Sequence, residues 1–230
     1  MPKPDTRRHL LSAVALALLC AVSAPVMAGS YEDAVSSARL GDTAQLSDLL
    51  RRGIDPDTVD ANGNSLLILA AREGNAATVK ALLQYRPRLG HRNQAGDSAL
   101  MLAVLRGHEE VAELLIAAGA PVNHEGWTPL HYAAFEGREA LVDRLLAAGA
   151  DPGALAPNQA NALMLAARNG HIGVVKRLLK TPVDLNQIND AGYTADAWAL
   201  SNGNTDIAEL IRAERARRGI EPPGLRIEIQ

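Results

Sequence analysis

Residues 126–152 read GWTPLHYAAFEGREALVDRLLAAGADP, and this stretch predicts two short helices joined by turns. Thr128 can cap the first helix, and Pro129 stands at the first helical position, where a missing N–H costs nothing. Gly137 ends that helix with a residue that tolerates positive φ. An apolar stripe at helical spacing then predicts the second helix: Leu141, Val142, Leu145 and Leu146. One such pair cannot bury its own apolar face, so we expect neighbouring pairs to stack on it.

The same unit recurs along the chain. A glycine follows each small apolar stretch at spacings of 33, 33, 30, 33 and 33 residues: Gly41, Gly74, Gly107, Gly137, Gly170 and Gly203. Eight residues after each glycine stands an apolar residue: Leu49, Leu82, Leu115, Leu145, Leu178 and Ile211. Seven residues before each, from the second unit on, stand Leu67, Leu100, Leu130, Leu163 and then Asp196. Three position sets in one register predict a repeat architecture.

The unit resembles an ankyrin repeat, and residues 126–152 match the family pattern almost position for position. Gly107-His108, Gly170-His171 and Gly149-Ala150-Asp151 match it too, and the resemblance covers roughly residues 31–214. It implies an all-α ankyrin-repeat solenoid over residues 29–218, followed by a tail at 219–230. The expected units are about 31–59, 60–92, 93–122, 123–155, 156–188 and 189–218.

The departures from the pattern predict caps and altered loops. The first unit lacks the TPLH element, which is typical of an N-terminal cap. The last unit has Asp196 in place of a core leucine, which predicts a C-terminal cap with a polar outer face. The loop at 123–126 is three residues short, and Gln159 replaces the loop glycine of the fifth unit, so we expect a different loop tip there.

Residues 1–28 have the layout of a secretory signal peptide. Basic residues at 1–9 precede an apolar run from Leu10 to about Ala24, and Val26-Met27-Ala28 gives an A-x-A-like site before Gly29. The run is shorter than a membrane-spanning helix needs, which disfavours the alternative of an uncleaved anchor. Cleavage after Ala28 removes Cys20, the chain's single cysteine, and a mature chain without cysteine suits an oxidising compartment. We expect export to the bacterial periplasm, with no membrane insertion after cleavage.

Composition and motifs argue against nucleic-acid binding, catalysis and metal binding. Among 230 residues the formal charge is −3, so no strong basic field predicts nucleic acid as a partner. Neither GxSxG nor HExxH occurs, which predicts a protein that is not an enzyme. The resemblance implies that His108, His131 and His171 hydrogen-bond within and between repeats. His91 and His124 stand in loops without enough other ligands, so neither a metal nor another cofactor is expected.

The C-terminal region leaves alternatives open. Cations at the end of the last helix predict a solvated helix end, with an anionic partner as the alternative: Arg212, Arg215, Arg217 and Arg218. Residues 225–230 alternate apolar and polar side chains, as a strand does. They are expected to be disordered, to fold back on the last repeat, or to add a strand to a partner's sheet.

In ankyrin proteins partners dock on the concave face, which the first helices and the loop tips form. Carried over by position, the resemblance predicts these partner-binding residues: Arg72, Asp97, Leu105, Arg106, Trp127, Phe135, Glu136, Arg168 and Tyr193. Leu105, Trp127 and Phe135 give that face an apolar centre with arginines around it, as in interface hot spots. The alternative for Trp127 is packing on a neighbouring loop. Tyr132 and Trp198 share the register of Leu69, Leu102 and Leu165 and are predicted to be packing residues.

These features predict a monomeric, non-enzymatic scaffold that binds a protein in the periplasm. Two specific roles stay open. One is an immunity or inhibitor protein that occludes an exported toxin. The other is a helper that stabilises a periplasmic enzyme, as some periplasmic ankyrin proteins support catalase.

Overall fold

A computed structural model describes residues 29–223. The predicted signal peptide with its cleavage site, and the alternating segment 225–230, lie outside the described residues. Helix α1 covers residues 29–40. The following helices are α2 Thr43–Arg51, α3 Leu66–Arg72, α4 Ala76–Leu83, α5 Ala99–Arg106, α6 Glu109–Ala117, α7 Pro129–Phe135, α8 Glu139–Ala147, α9 Ala162–Arg168, α10 Ile172–Leu178, α11 Ala195–Ser201 and α12 Thr205–Arg217. Between Gly29 and Pro223 no helix is long and apolar enough to cross a membrane.

The helices alternate between two layers, which confirms the all-α solenoid. The first helices of successive units pack in chain order, α3 on α5, α5 on α7, α7 on α9 and α9 on α11. The second helices from α2 to α10 pack likewise in a second layer. The leucines seven residues before the unit glycines lie between the layers at 0–1% exposure: Leu67, Leu100, Leu130 and Leu163.

Short side chains begin the first helices, as the sequence predicts. Ser65, Ser98, Thr128 and Asn161 each cap a helix by accepting the backbone N–H three residues ahead. Thr194 makes no such bond before α11; its hydroxyl donates instead to Asp196 Oδ1 at 2.8 Å. These caps satisfy N–H groups that a helix leaves without intrahelical partners.

Glycine and histidine join neighbouring units. Gly137 has φ 70°, and a Cβ there would lie 2.5 Å from Nδ1 of His171. The close approach lets His171 Nε2 donate to the carbonyl of Phe135 at 2.9 Å. His108 bonds the carbonyl of Arg72 in the same way at 3.1 Å. The predicted structural role of these histidines between repeats is confirmed.

The loop at Gln159 keeps the geometry of its glycine counterparts, so the prediction of a different tip is wrong. Gln159 has φ 58°, and its N–H donates to the carbonyl of Ala156 at 2.8 Å. Gly96 and Gly192, at the equivalent positions, have φ 85° and 80° and make the same bond at 2.9 Å. The turn therefore imposes a left-handed backbone on a residue with a Cβ.

The last unit ends in a buried ion pair, which corrects two predictions. Asp196 is 5% exposed, so it does not give the cap a polar outer face. Its carboxylate accepts from Arg215 Nη2 at 2.7 Å and from Arg212 Nε at 2.9 Å. Arg215 is itself 5% exposed and also donates to the carbonyl of Leu185 at 2.8 Å. The solvated helix end is thus wrong for Arg215, and also for Arg218, which donates to the carbonyls of Leu179 and Thr181.

The first part of the tail packs against the C-terminal end of the stack. Ile220 packs against the core, and the carbonyl of Glu221 accepts from Asn186 Nδ2 at 2.7 Å. Polar contacts hold this end of the stack together, because Arg212 and Arg215 of α12 donate to Asp196 of α11.

Candidate functional site

The candidate site is the surface formed by the ends of the first helices and by the loop tips, which is concave in ankyrin stacks. We call it the concave face. All nine predicted binding residues stand in these elements: at the C-terminal ends of α3, α5, α7 and α9 or in the loops that precede α5, α7 and α11. The structure gathers them into a central group, an arginine-lined depression and a C-terminal stack.

The central group joins two units through one tyrosine. Trp127 stacks on Tyr132 with ring centroids 5.5 Å apart and an interplanar angle of 21°. The Tyr132 hydroxyl donates to Asp97 Oδ1 at 2.7 Å. Burial, and then this bond to a carboxylate, raise the pKa of Tyr132 above its ordinary range, so the phenol stays a donor. Trp127 therefore packs on Tyr132 of its own unit, and part of its side chain stays exposed.

Phe135 and Leu105 occupy equivalent positions in adjacent units. Both are half-buried and pack against the core. The carbonyl of Phe135 also accepts from Asn169 Nδ2 at 2.8 Å, so its backbone is held from the next unit. The two side chains present partly exposed apolar surface beside the central group.

Arginines line a depression of about 330 Å³ next to these apolar residues, together with Glu73 and His108. Arg72 Nε pairs with Glu73 Oε1 at 2.9 Å. Arg106 is exposed and makes no hydrogen bond or ion pair through its side chain within residues 29–223. Glu136 lies 3.9 Å from Arg138 Nη2, at the edge of ion-pair distance.

The C-terminal stack is a feature that the sequence reasoning missed. The guanidinium carbon of Arg168 lies 5.0 Å from the Trp198 ring centroid. Tyr193 stacks on the same indole at 6.5 Å and 9°. Trp198 packs against the core as predicted, yet it also orients two predicted binding residues. The signal was available, because Tyr193 and Trp198 repeat the register of Trp127 and Tyr132 two units later.

The histidines of the face serve the fold. His131 Nδ1 accepts the backbone N–H of Thr128 at 3.0 Å, and Nε2 donates to the carbonyl of Ala154 at 3.0 Å. Burial lowers its pKa to about 4, so the ring is neutral at pH 7. In the part of the chain that the structure describes, no group of three or more His, Cys, Asp or Glu could hold a metal. The arrangement offers aromatic, apolar and guanidinium groups suited to binding.

In curated proteins similar to this chain, the matching region is a small part of the whole protein. It is 33% identical over 158 residues to the ankyrin repeat and KH domain-containing protein mask-1 of Caenorhabditis elegans, covering 66% of this chain and 6% of that protein. It is 43% identical over 119 residues to the E3 ubiquitin-protein ligase XBAT32 of Arabidopsis thaliana, covering 49% and 23%. The chain thus spans less than a quarter of either relative.

Among solved structures, the chain resembles one chain from the complex of the predatory endopeptidase Bd0816 of Bdellovibrio bacteriovorus with the immunity protein Bd3460. The TM-score is 0.70 at 31% identity, over 79% of this chain and 97% of that one.

The family description "Ankyrin repeats (3 copies)" matches residues 34–125, 86–156 and 130–221, which together run through nearly all of the described chain. Such repeats are protein-binding scaffolds and are generally non-enzymatic. The helix pairs, the histidine bonds between units and these matches agree: the chain belongs to the ankyrin repeat family.

Proposed function

We propose that this protein is a non-enzymatic scaffold that docks a protein partner on its concave face in the bacterial periplasm. The carrying observation is the centre of that face, where Trp127, Phe135 and Leu105 keep partly exposed apolar surface beside the free guanidinium of Arg106. Aromatic residues and arginine at the middle of a surface, with polar groups around them, are the composition of an interface hot spot.

The packing of these side chains suits binding because it fixes them before a partner arrives. Tyr132 is held by Asp97 and holds Trp127, and the Phe135 backbone is held by His171 and Asn169. Side chains that are already ordered lose little entropy when a complex forms.

A second, more specific function is immunity, in which the protein occludes a secreted hydrolase. The structural resemblance to a chain of the endopeptidase–immunity protein complex favours it, because the match covers 97% of that chain. The proposed signal peptide at 1–28 would place the two proteins in one compartment. Binding would protect the cell by blocking substrate access, without chemistry on the inhibitor's side.

The test is capture of the partner from living cells. The full chain, with its own N-terminal segment and a C-terminal tag, is expressed in its native host, and periplasmic proteins are crosslinked and pulled down. The test variant is Phe135→Ala/Arg106→Ala. The matched control is Lys80→Ala/Glu110→Ala, which removes an exposed ion pair of 2.7 Å from the second-helix layer.

A crosslinked protein that the control retains and the test variant loses, at equal thermal stability, supports the concave face. A partner that both variants retain would contradict it. Fractionation that finds the tag in the cytoplasm would contradict the periplasmic part of the proposal. If the captured protein is a hydrolase, loss of its activity on adding purified scaffold would support the immunity function, and unchanged activity would refute it.

A further inference from the structure

Three cations of the second-helix layer pair with carboxylates of a neighbouring unit. Lys80 contacts Glu110 at 2.7 Å, Arg144 contacts Glu113 at 3.0 Å, and Arg177 contacts Asp143 at 2.9 Å. Each of these pairs joins one unit to the next.

Two arginines of the concave face have no such partner in the described part of the chain. Arg106, at the end of α5, and Arg168, at the end of α9, are exposed and form no ion pair with any residue from 29 to 223. Arg168 is nevertheless held in place by the Trp198 ring at 5.0 Å. An arginine on an aromatic ring keeps its N–H edge free to donate.

Two carboxylates of the concave face are already engaged within the chain. Asp97 accepts from the Tyr132 hydroxyl at 2.7 Å, and Glu73 pairs with Arg72 at 2.9 Å. The guanidinium groups of Arg106 and Arg168 are left without a carboxylate partner among residues 29–223. Complementary charge across an interface favours a partner that supplies the missing carboxylates.

The distance between the two arginines sets the length of the partner segment that can contact both. Arg106 belongs to the third unit and Arg168 to the fifth. Phe135 stands in the unit between them, in the register of Arg168 and one position before that of Arg106. Neighbouring helices pack about 10 Å apart, which separates the two guanidinium groups by roughly 20 Å. That span corresponds to about 13 residues of a helix or about six residues of an extended segment.

We propose that the partner presents an acidic protein segment, with one carboxylate for Arg106, one for Arg168 and an apolar side chain between them for Phe135. This inference rests on the proposed concave-face docking and specifies its partner. The planar guanidinium fork matches a carboxylate in a bidentate pair. Nucleic acid fits less well, because Arg106 and Arg168 are two separate cations and not the clustered basic patch that a row of phosphates requires.

The test selects peptides without knowledge of the partner. The full chain is immobilised, a phage-displayed library of random 16-residue peptides is panned against it, and the enriched peptides are synthesised for affinity measurement. We expect Asp or Glu to be enriched on both sides of a Leu, Phe or Trp. Arg106→Gln/Arg168→Gln should weaken these peptides by at least tenfold, since each lost pair removes a charge-assisted hydrogen bond.

The matched control is Lys176→Gln/Lys180→Gln, which removes two exposed positive charges at the end of α10 in the other layer. It should leave the affinities unchanged, and thermal melting of every variant checks the fold. Equal weakening in this control would overturn the inference, because attraction would then be non-specific.

Other outcomes separate this inference from the proposed function. Enriched peptides that lack acidic residues but are lost on Phe135→Ala would refute the acidic partner and leave concave-face docking in place. Failure of the panning to enrich any peptide that needs Phe135, Arg106 or Arg168 would count against both. Tighter binding of a 20-base-pair DNA duplex, with the same dependence on Arg106 and Arg168, would overturn the inference in favour of nucleic acid.

Discussion

His131 should make the stability of this protein fall as the pH drops below 6.5. The ring is 1% exposed, and burial lowers its pKa from 6.5 to about 4. His124 nearby disfavours the protonated ring further, while the carbonyl of Ala154 and the charge of Asp151 partly offset these effects. The unfolded chain therefore takes up this proton before the folded chain does.

The direction and size follow from the two pKa values. The contribution of His131 is fully present above pH 6.5 and is lost as the pH falls towards 4. The loss amounts to about 2 kcal/mol at pH 5 and approaches about 3 kcal/mol below pH 4. For a domain of this size, 1 kcal/mol shifts the melting temperature by roughly 2–4 °C.

The repeat itself supplies the variant that isolates this effect. Met101 and Met164 occupy the register of His131 in other units, and the Ser98 N–H lies 3.4 Å from the Met101 sulfur as the Thr128 N–H lies near His131. His131→Met should therefore fold, at a cost of about 1–3 kcal/mol at pH 7.5 for the hydrogen bonds that it removes.

The assay is urea denaturation of both proteins, followed by far-UV circular dichroism at pH 7.5, 6, 5 and 4.5. The free energy of unfolding of the variant should lose about 2 kcal/mol less than that of the parent between pH 7.5 and 5. The two proteins are identical at every other position, so the difference between them reports His131. Parallel curves would refute the assignment of a buried neutral ring.

Three further predictions concern other sites. Asp196→Leu should destabilise the last unit by about 3–5 kcal/mol because it leaves the buried Arg215 without its carboxylate. The double variant Asp196→Leu/Arg215→Met should recover most of that loss. Hydrogen exchange of α12 measures both, and equal protection of α12 in the parent and in Asp196→Leu would contradict the buried pair. Hydrogen bonds from Arg215, Arg212 and Thr194 outweigh burial and hold the pKa of Asp196 well below 3.8, so its contribution is present above that pH and lost in stronger acid. Gln159→Gly should raise stability by up to about 1 kcal/mol by relieving the positive φ, and a lower melting temperature would contradict this. Tyr132→Phe should cost about 1 kcal/mol and loosen Trp127, seen as a red-shifted indole emission, and an unchanged spectrum would argue against the stack.

The fold was predictable because the same residue pattern recurs in successive units. A leucine at the register of Leu67 is buried in four successive units, and the unit glycine with its histidine joins neighbours twice in the same way. Each position is interpreted through its counterparts, so a single ambiguous residue does little harm. The same logic failed at Gln159, where a missing glycine indicated a different loop although the neighbouring hydrogen bonds impose the same turn.

The capping unit was less predictable because its residues have no counterparts. Asp196 departs from the leucine register, and a polar residue at an apolar position predicted exposure. The structure instead buries it with Arg215, 19 residues later in the chain, which the sequence pattern had assigned to a solvated helix end. A buried carboxylate is tolerable only with a partner, so the two residues had to be interpreted together.

Binding positions differ from core positions in what the fold requires of them. Arg72, Leu105, Phe135 and Arg168 share one register, yet they range from a paired cation to a half-buried ring. Because the stack accommodates arginine, leucine and phenylalanine at this position, stability does not dictate which residue stands there. Arg168 stacks on Trp198 with its N–H edge available, so it can order the face and still donate to a group outside the chain. The binding experiments with Arg106 and Arg168 test that reasoning directly.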